Sequence, residues 1–388
     1  MSFPKRSIES VAQVERGKFS ARPRNDPSYY NGPYPFIQTG DIAQSSGLVK
    51  TFSQSLNEEG LQVSKLFSKT SLVMTIAANI GDVAIVDFDF ACPDSVVVIE
   101  PNRDIDRVWL KYILQLNKEG FRSLATQNAQ KNINLEIIRP YQIPVPDTDT
   151  QKRIAIFLST WDFAIEKTER LVELKEKKAH WIIEHMFLAF SGKWDYIDIE
   201  TLFAVISDRN HPDEELLSVT QDRGVVPRTS LSGRVMSPTG DVSAYKLILP
   251  GDFAVSLRSF QGGLEYCEYR GIISPAYTVL RPRVAIDRDY FQVFLKCSTF
   301  VSYYLSQAVI GIRDGKQISI PDLMAISIPV PPLDLQKKIG RVAATADQEI
   351  RTMRKQLSLL ISEKSFLMSK LLTGEWKAPD IEAKENQR

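Results

Sequence analysis

A chain of 388 residues, 43% apolar and 24% charged, has the composition of a globular protein with two or three ordinary cores. Its 48 basic and 47 acidic residues nearly cancel, so a polyanionic partner would have to be gripped by basic groups gathered on one face, not by a global excess of charge. Cys92, Cys267 and Cys297 are widely spaced and form no Cys-x-x-Cys pair, Met1 is followed by no apolar leader, and no run approaches about 18 apolar residues. These features favour reduced, structural thiols in a cytoplasmic protein, and imply neither secretion nor membrane spanning.

In chain order, residues 1–140 read as a mixed α/β globule. A turn-rich, charged loop spans residues 22–33, a strand follows at Phe36-Ile37-Gln38, and Thr39-Gly40-Asp41 reads as its turn. Short β-branched strands follow at 72–76, 83–86 and 95–99, then a helix at 109–116 and an amide-rich stretch at 127–134. Next comes Ile143-Pro144-Val145-Pro146, Gln151-Lys152-Arg153-Ile154 and a long heptad run.

That arrangement returns. Ile328-Pro329-Val330-Pro331 and Gln336-Lys337-Lys338-Ile339 lead a second heptad run, and both Ile143 to Ile328 and Ile154 to Ile339 are steps of 185. The expected seam of one run is Ile154, Leu158, Trp161, Ile165, Thr168, Val172, Lys175, Ala179, Ile182 and Met186. The other is Ile339, Ala343, Ala346, Ile350, Met353, Leu357, Leu360, Lys364, Leu367 and Leu371. A 4-3 apolar step held this long predicts a coiled-coil seam, with Glu, Lys and Arg on the solvated flanks. Each helix is expected to be roughly 55 to 60 Å long. The residues expected to join the helix pair are Ile154, Leu158, Trp161, Ile165, Val172, Ile182, Ile339, Ala343, Ile350, Met353, Leu357 and Leu360.

Between the two runs, residues 192–325 repeat the first globule's plan. Leu216-Leu217-Ser218-Val219 stands where Phe36-Ile37-Gln38 stood, Tyr290-Phe291 matches Trp109-Leu110, and Gly315-Lys316-Gln317-Ile318 matches Gln130-Lys131-Asn132-Ile133. The scaffold positions agree and the loops do not. The expected organisation is a first globule at 1–148, a spacer helix at 149–190, a second globule at 191–333, a second helix at 334–375 and a tail at 376–388. The fold class is α/β (mixed α+β), two similar globules joined by two long antiparallel coiled-coil helices about a pseudo-twofold.

Catalytic motifs are missing. The chain contains no His-Glu-x-x-His or Cys-x-x-Cys metal site, no Gly-x-Gly-x-x-Gly, and no phosphate loop of correct spacing. A nuclease-like Pro146-Asp147 with Glu173-Leu174-Lys175 places its Glu and Lys deep in a heptad run, away from Asp147. The loops instead carry side chains that grip phosphates and read base edges. In the first globule these are Lys18, Arg22, Arg24, Tyr30, Gln38, Thr39, Asn79, Arg122, Gln127, Asn128, Gln130, Lys131 and Asn132. In the second they are Arg209, Asn210, Gln221, Arg223, Arg228, Arg234, Arg258, Gln261, Arg313, Lys316 and Gln317.

The doubled Ile-Pro-Val-Pro and Gln-Lys-x-Ile segments with their helices, together with residues 34–42 (YPFIQTGDI) and 271–277 (GIISPAY), resemble the specificity subunit of type I restriction-modification systems over essentially the whole chain. The resemblance implies two target-recognition domains reading the halves of a split, asymmetric double-stranded DNA target. It also implies a subunit that is not itself catalytic and binds no cofactor, and that docks two methyltransferase subunits carrying S-adenosylmethionine; restriction subunits join these to cleave. A two-headed protein-interaction scaffold with a coiled-coil spacer is the alternative, and salt-dependent, sequence-selective DNA binding would discriminate against it.

Overall fold

Four antiparallel strands recur in one spatial order in each half of the chain. In the first half the order is Ala12–Arg16, Val96–Pro101, Leu72–Thr75, Val83–Val86, with Leu48–Val49 added in parallel at the edge. In the second it is Phe203–Ile206, Tyr277–Pro282, Phe253–Ser256, Leu264–Tyr266. The computed structural model describes residues 3–77, 79–126, 132–190, 194–231, 242–257, 262–311 and 316–380. Two units emerge from it: Met1–Lys167 with Leu357–Arg388, and Thr168–Gln356.

In unit 1 the strands Leu72–Thr75 and Val83–Val86 are buried at every position, as a central strand covered on both faces requires. One face meets the helix Arg107–Leu116, whose Trp109, Leu110, Ile113 and Leu114 are fully buried, and a second core around Val73, Val86, Phe90 and Val98 lies apart from it. Asp106 caps that helix through the Val108 and Trp109 N–H groups at 2.9 and 2.8 Å. The unit closes on its own ends: Lys5–Ser7 pairs antiparallel with Gln142–Pro144, directly before the first long helix, Thr148–Phe190. Gln151, 1% exposed, ties helix to globule, since its Oε1 accepts from the Asp106 N–H (2.8 Å) and its Nε2 donates to the Pro146 carbonyl (2.9 Å).

Unit 2 repeats the closure with Asp195–Asp198 against Ser327–Val330, ahead of the second long helix, Leu333–Leu372. It repeats the glutamine as well: Gln336 Oε1 accepts from the Asp287 N–H (2.9 Å) and its Nε2 donates to the Pro331 carbonyl (2.9 Å). Gly340 sits where a Cβ would come within 2.3 Å of Asp287 Oδ1 and 2.9 Å of the Tyr290 N, so the helix root can lie this close only without a side chain.

Glu184 adds a clamp specific to unit 2. Its carboxylate accepts from the Ser298 N–H (2.6 Å), the Ser298 hydroxyl (2.8 Å) and the Thr299 hydroxyl (2.7 Å). Burial disfavours its charge, but these donors outweigh burial and hold the carboxyl below the usual glutamate value. In the acid range the unfolded glutamate therefore binds more protons than the folded one, so the stabilisation is present above the ordinary pKa and is lost as pH falls through the depressed folded value. Glu184→Gln is expected to cost about 2 kcal/mol near neutrality and to flatten the acid limb of the melting temperature. Parallel acid limbs for variant and wild type would refute the assignment.

The long helices follow the 4-3 step in each unit. In unit 1, Ile154 and Leu158 are buried, and Trp161, Ile165, Leu357, Leu360, Lys364 and Leu367 are half-buried, while Phe163, Glu166, Leu359 and Ile361 are exposed. Leu371 and Leu372 share a core with Ile154 and Leu158, and Lys364 pairs with Asp162, so the helices run antiparallel there. In unit 2, Val172, Ile339 and Ala343 are buried, and Ile182, Ile350 and Met353 are half-buried. Ile183 and Met186 pack against the core that holds Ile339, and Lys175 pairs with Glu349, again antiparallel.

Each seam lysine thus has a carboxylate. Lys364 and the buried Lys111 share Asp162, which also accepts from the Tyr112 hydroxyl at 2.5 Å; Lys111 lies 3.3 Å from it. The expected turn at Thr39-Gly40-Asp41 is instead the first turn of a helix, Thr39–Gln44. Gln38 and Asp41 bond each other's backbone in a capping box, which a Gln at that position does not announce in sequence.

Candidate nucleic-acid interface

In unit 1 an aromatic cluster supports the loop singled out in the sequence. The Phe19 ring lies 5.0 Å from Phe36, 5.9 Å from Tyr30 and 6.2 Å from Tyr29, and Asp26 caps the short turn Pro27–Tyr29 through the Ser28 N–H at 3.0 Å. Above it opens a surface cleft of about 530 Å³ that brings Arg24, Tyr30 and Gln38 together with Asn25, Gln54 and Ser95. Arg24 reaches Asp94 at 2.8 Å, and the Tyr30 hydroxyl donates to the Arg24 carbonyl. Burial pushes the Tyr30 phenol up, against the charge of Arg24, so it stays a donor at neutral pH. Gln38 donates from Nε2 to Gln54 Oε1 while holding its capping box. Gln54, exposed, stands beside it.

The cleft is connected to the second predicted group. The Ile76 N–H donates to the Ser95 carbonyl (3.1 Å) and the Ile76 carbonyl accepts from Ile133 (3.1 Å), which places half-buried Asn132 beside the same strand end. Asn79 is exposed in the adjoining turn, where its carbonyl accepts from the Thr75 hydroxyl. Lys18 and Arg22 are exposed on the loop leading into the cleft. Thr39 is half-buried, and Arg122 stands on a helix paired with Glu119 at 2.7 Å. Gln127, Asn128, Gln130 and Lys131 lie outside the described residues.

Unit 2 spreads its candidates over three places. Arg209 and Asn210 follow the strand Phe203–Ile206. Asn210 takes φ of 66° and donates to the Ser243 carbonyl at 3.0 Å; the charge of Arg209, after burial, helps lower the pKa of Lys246. Gln221 and Arg223 form the turn between Leu217–Thr220 and Gly224–Pro227, and the Gln221 carbonyl accepts from Lys296 at 2.6 Å. Arg228 begins the short turn after that hairpin. Lys316 and Gln317 are exposed, and Gln317 pairs with Ile310 in a small hairpin. Arg234, Arg258, Gln261 and Arg313 lie outside the described residues.

Asn25, Ser53 and Gln54 were missed in sequence. Asn25 neighbours Arg24 in the loop, while strand pairing brings in the polar run at 53–55, with Phe36 opposite Gln54 and Pro35 opposite Ser55; that polar run facing an aromatic strand was the available signal. Among the described residues no group of three or more His, Cys, Asp or Glu side chains could hold a metal ion. Asp147 is occupied in capping, accepting from the Thr150 N–H and hydroxyl at 2.9 and 2.8 Å, and Glu173 pairs with Arg170 and Lys177. All three cysteines are unpaired and buried, and burial pushes the thiols of Cys267 and Cys297 up to about 12. Among the described residues no helix is long and apolar enough to cross a membrane.

Residues 3–176 match the family model described as type I restriction modification DNA specificity domain. The chain is similar to the type I restriction enzyme MjaVIII specificity subunit of Methanocaldococcus jannaschii, 23% identical, with 90% of this chain and 88% of the relative covered. It is also similar to the MjaIX specificity subunit of the same organism, 20% identical, covering 97% and 94%. Among solved structures, the S subunit of a type I restriction-modification system from M. genitalium aligns with a TM-score of 0.56 at 20% identity, covering 98% and 96%. A chain from a study of complex assembly and conformational transition in a type I system aligns with a TM-score of 0.61 at 16% identity, covering 97% and 98%.

Proposed function

We propose that this chain, whose residues 3–176 match the family model described as type I restriction modification DNA specificity domain, reads a two-part, asymmetric DNA target and brings methyltransferase and restriction subunits to it. The observation that carries this reading is the doubled glutamine lock: one scaffold, rooted by Gln151 in unit 1 and Gln336 in unit 2, presents two unlike sets of loops. Two different reading surfaces on one repeated frame call for a target whose halves differ.

In this reading the chain is not catalytic and acts in the cytoplasm. Two methyltransferase subunits dock on it, and S-adenosylmethionine is held by them. Arg24, Asn25, Gln54 and Asn132 offer phosphate and base-edge contacts in unit 1, where Gln and Asn suit adenine. The long helices fix the gap between half-sites.

The test is a genome-wide map of methylated adenines with and without the gene. Loss of one asymmetric, two-part motif on deletion is the expected result. For the purified complex, Gln54→Ala together with Asn25→Ala is expected to relax selectivity in one half of that motif by about 1–3 kcal/mol while leaving the other half unchanged. Relaxation in both halves, or in neither, would overturn the placement. Loss of no motif, together with salt-insensitive DNA binding, would favour a protein-interaction scaffold.

A further inference from the structure

The repeat allows one layer of the helix pair to be compared between units. In unit 1 the layer is filled from within the chain by Lys364, Lys111, Tyr112 and Asp162. A step of 185 takes Lys364 to Ala179, Asp162 to Asp347, Ser159 to Ala344 and Trp161 to Ala346. A step of 181, which relates the capped residues Asp106 and Asp287, takes Lys111 to Gln292 and Tyr112 to Val293. The carboxylate is kept, while both ammonium groups and the bulk around them are gone.

All six of those unit 2 residues line one cavity of about 530 Å³. Glu265 lines it too, only 4% exposed. Its Oε2 accepts from Lys296 at 2.6 Å, and its Oε1 is buried with no hydrogen-bond partner. A buried carboxylate oxygen without a donor is costly, and an incoming cation would relieve it. Asp347 contributes a second carboxylate, held by Arg351 at 2.6 Å.

We propose that this cavity binds an alkylammonium group on an aliphatic stem, the chemistry that Lys364 supplies internally in unit 1. The ammonium offers three donors to Glu265 and Asp347, and the alanines and Val293 receive the methylenes. A lysine side chain of a partner protein and a free polyamine share this chemistry.

The full chain is titrated calorimetrically with pentylammonium and with pentan-1-ol, its neutral counterpart. Saturable one-site binding of pentylammonium, about tenfold or more tighter than the alcohol, is expected. Glu265→Gln keeps the shape of the wall and is expected to weaken pentylammonium about tenfold without changing the alcohol. Ala179→Lys, which restores the internal lysine, is expected to abolish binding and raise the melting temperature. Equal affinity for alcohol and amine, no saturable binding, or an unchanged affinity in Glu265→Gln would each overturn the proposal. That last variant decides even if Ala179→Lys fails to fold. Between blocked lysine (Nα-acetyl-lysine methylamide) and spermidine, the tighter binder identifies the source.

Discussion

Exchanging Asp162 for alanine is expected to destabilise unit 1 by roughly 3 kcal/mol, because it strands two lysines at a largely buried layer. For a unit of this size that is about 6 to 12 °C in melting temperature. Lys111 and Lys364 have only 8% and 17% of their side chains exposed, against 31% for Asp162. Burial opposes the Asp162 charge, but bonds from Lys364 and Tyr112 and the two ammonium charges hold its carboxyl below the usual range. Burial likewise pulls Lys111 down, and Asp162 opposes that shift. Lys364→Met should cost much less, since the Lys111–Asp162 pair survives. Replacing all three by apolar residues should recover most of the loss, as buried ion clusters commonly gain little over well-packed hydrocarbon. A triple variant as unstable as Asp162→Ala would show that the layer is held by shape and not by charge balance.

Gln151→Leu is expected to cost about 2–4 kcal/mol. Leucine fills nearly the same volume, so the loss is not a cavity. It leaves the Asp106 N–H and the Pro146 carbonyl without their partner, at the join between the helix cap and the helix root. Gln336→Leu should do the same to Asp287 and Pro331 in unit 2. Amide exchange gives the sharper readout: protection should fall at Asp106 in the first variant only and at Asp287 in the second only. Unchanged protection in both would mean that the glutamines follow the packing and do not impose it.

The seam was legible because a single chemical property, apolarity, marks it at a fixed step, and 154, 158, 339 and 343 are buried as that step requires. The doubled Gln-Lys-x-Ile was equally visible, yet the role of its glutamine was not. Its partners are main-chain groups of Asp106 and Asp287, and a backbone N–H has no letter in the sequence. The partner of Lys364 was hidden for a related reason, since Asp162 and Lys111 are distant in the chain and meet only after the sheet and both helices are in place. Of the residues that line the cleft, Arg24, Tyr30 and Gln38 were singled out by side-chain type, Asn25 was passed over beside Arg24 in the same loop, and Gln54 needed the strand register.

Unit 1 takes its last helical turns from the far end of the chain, since Leu371 and Leu372 share a core with Ile154 and Leu158. On the ribosome, residue 167 is made long before residue 357, and at 5–20 residues per second the interval is roughly 10 to 40 s. Throughout that interval the first globule lacks its helix partner, and the part of residues 154–165 that this partner covers is bare. A premature stop anywhere in the second half would therefore release a protein whose first half is also unfinished, with a sticky helix on display. For this chain, translation through Leu372 is a condition of completing the core that begins around Ile154.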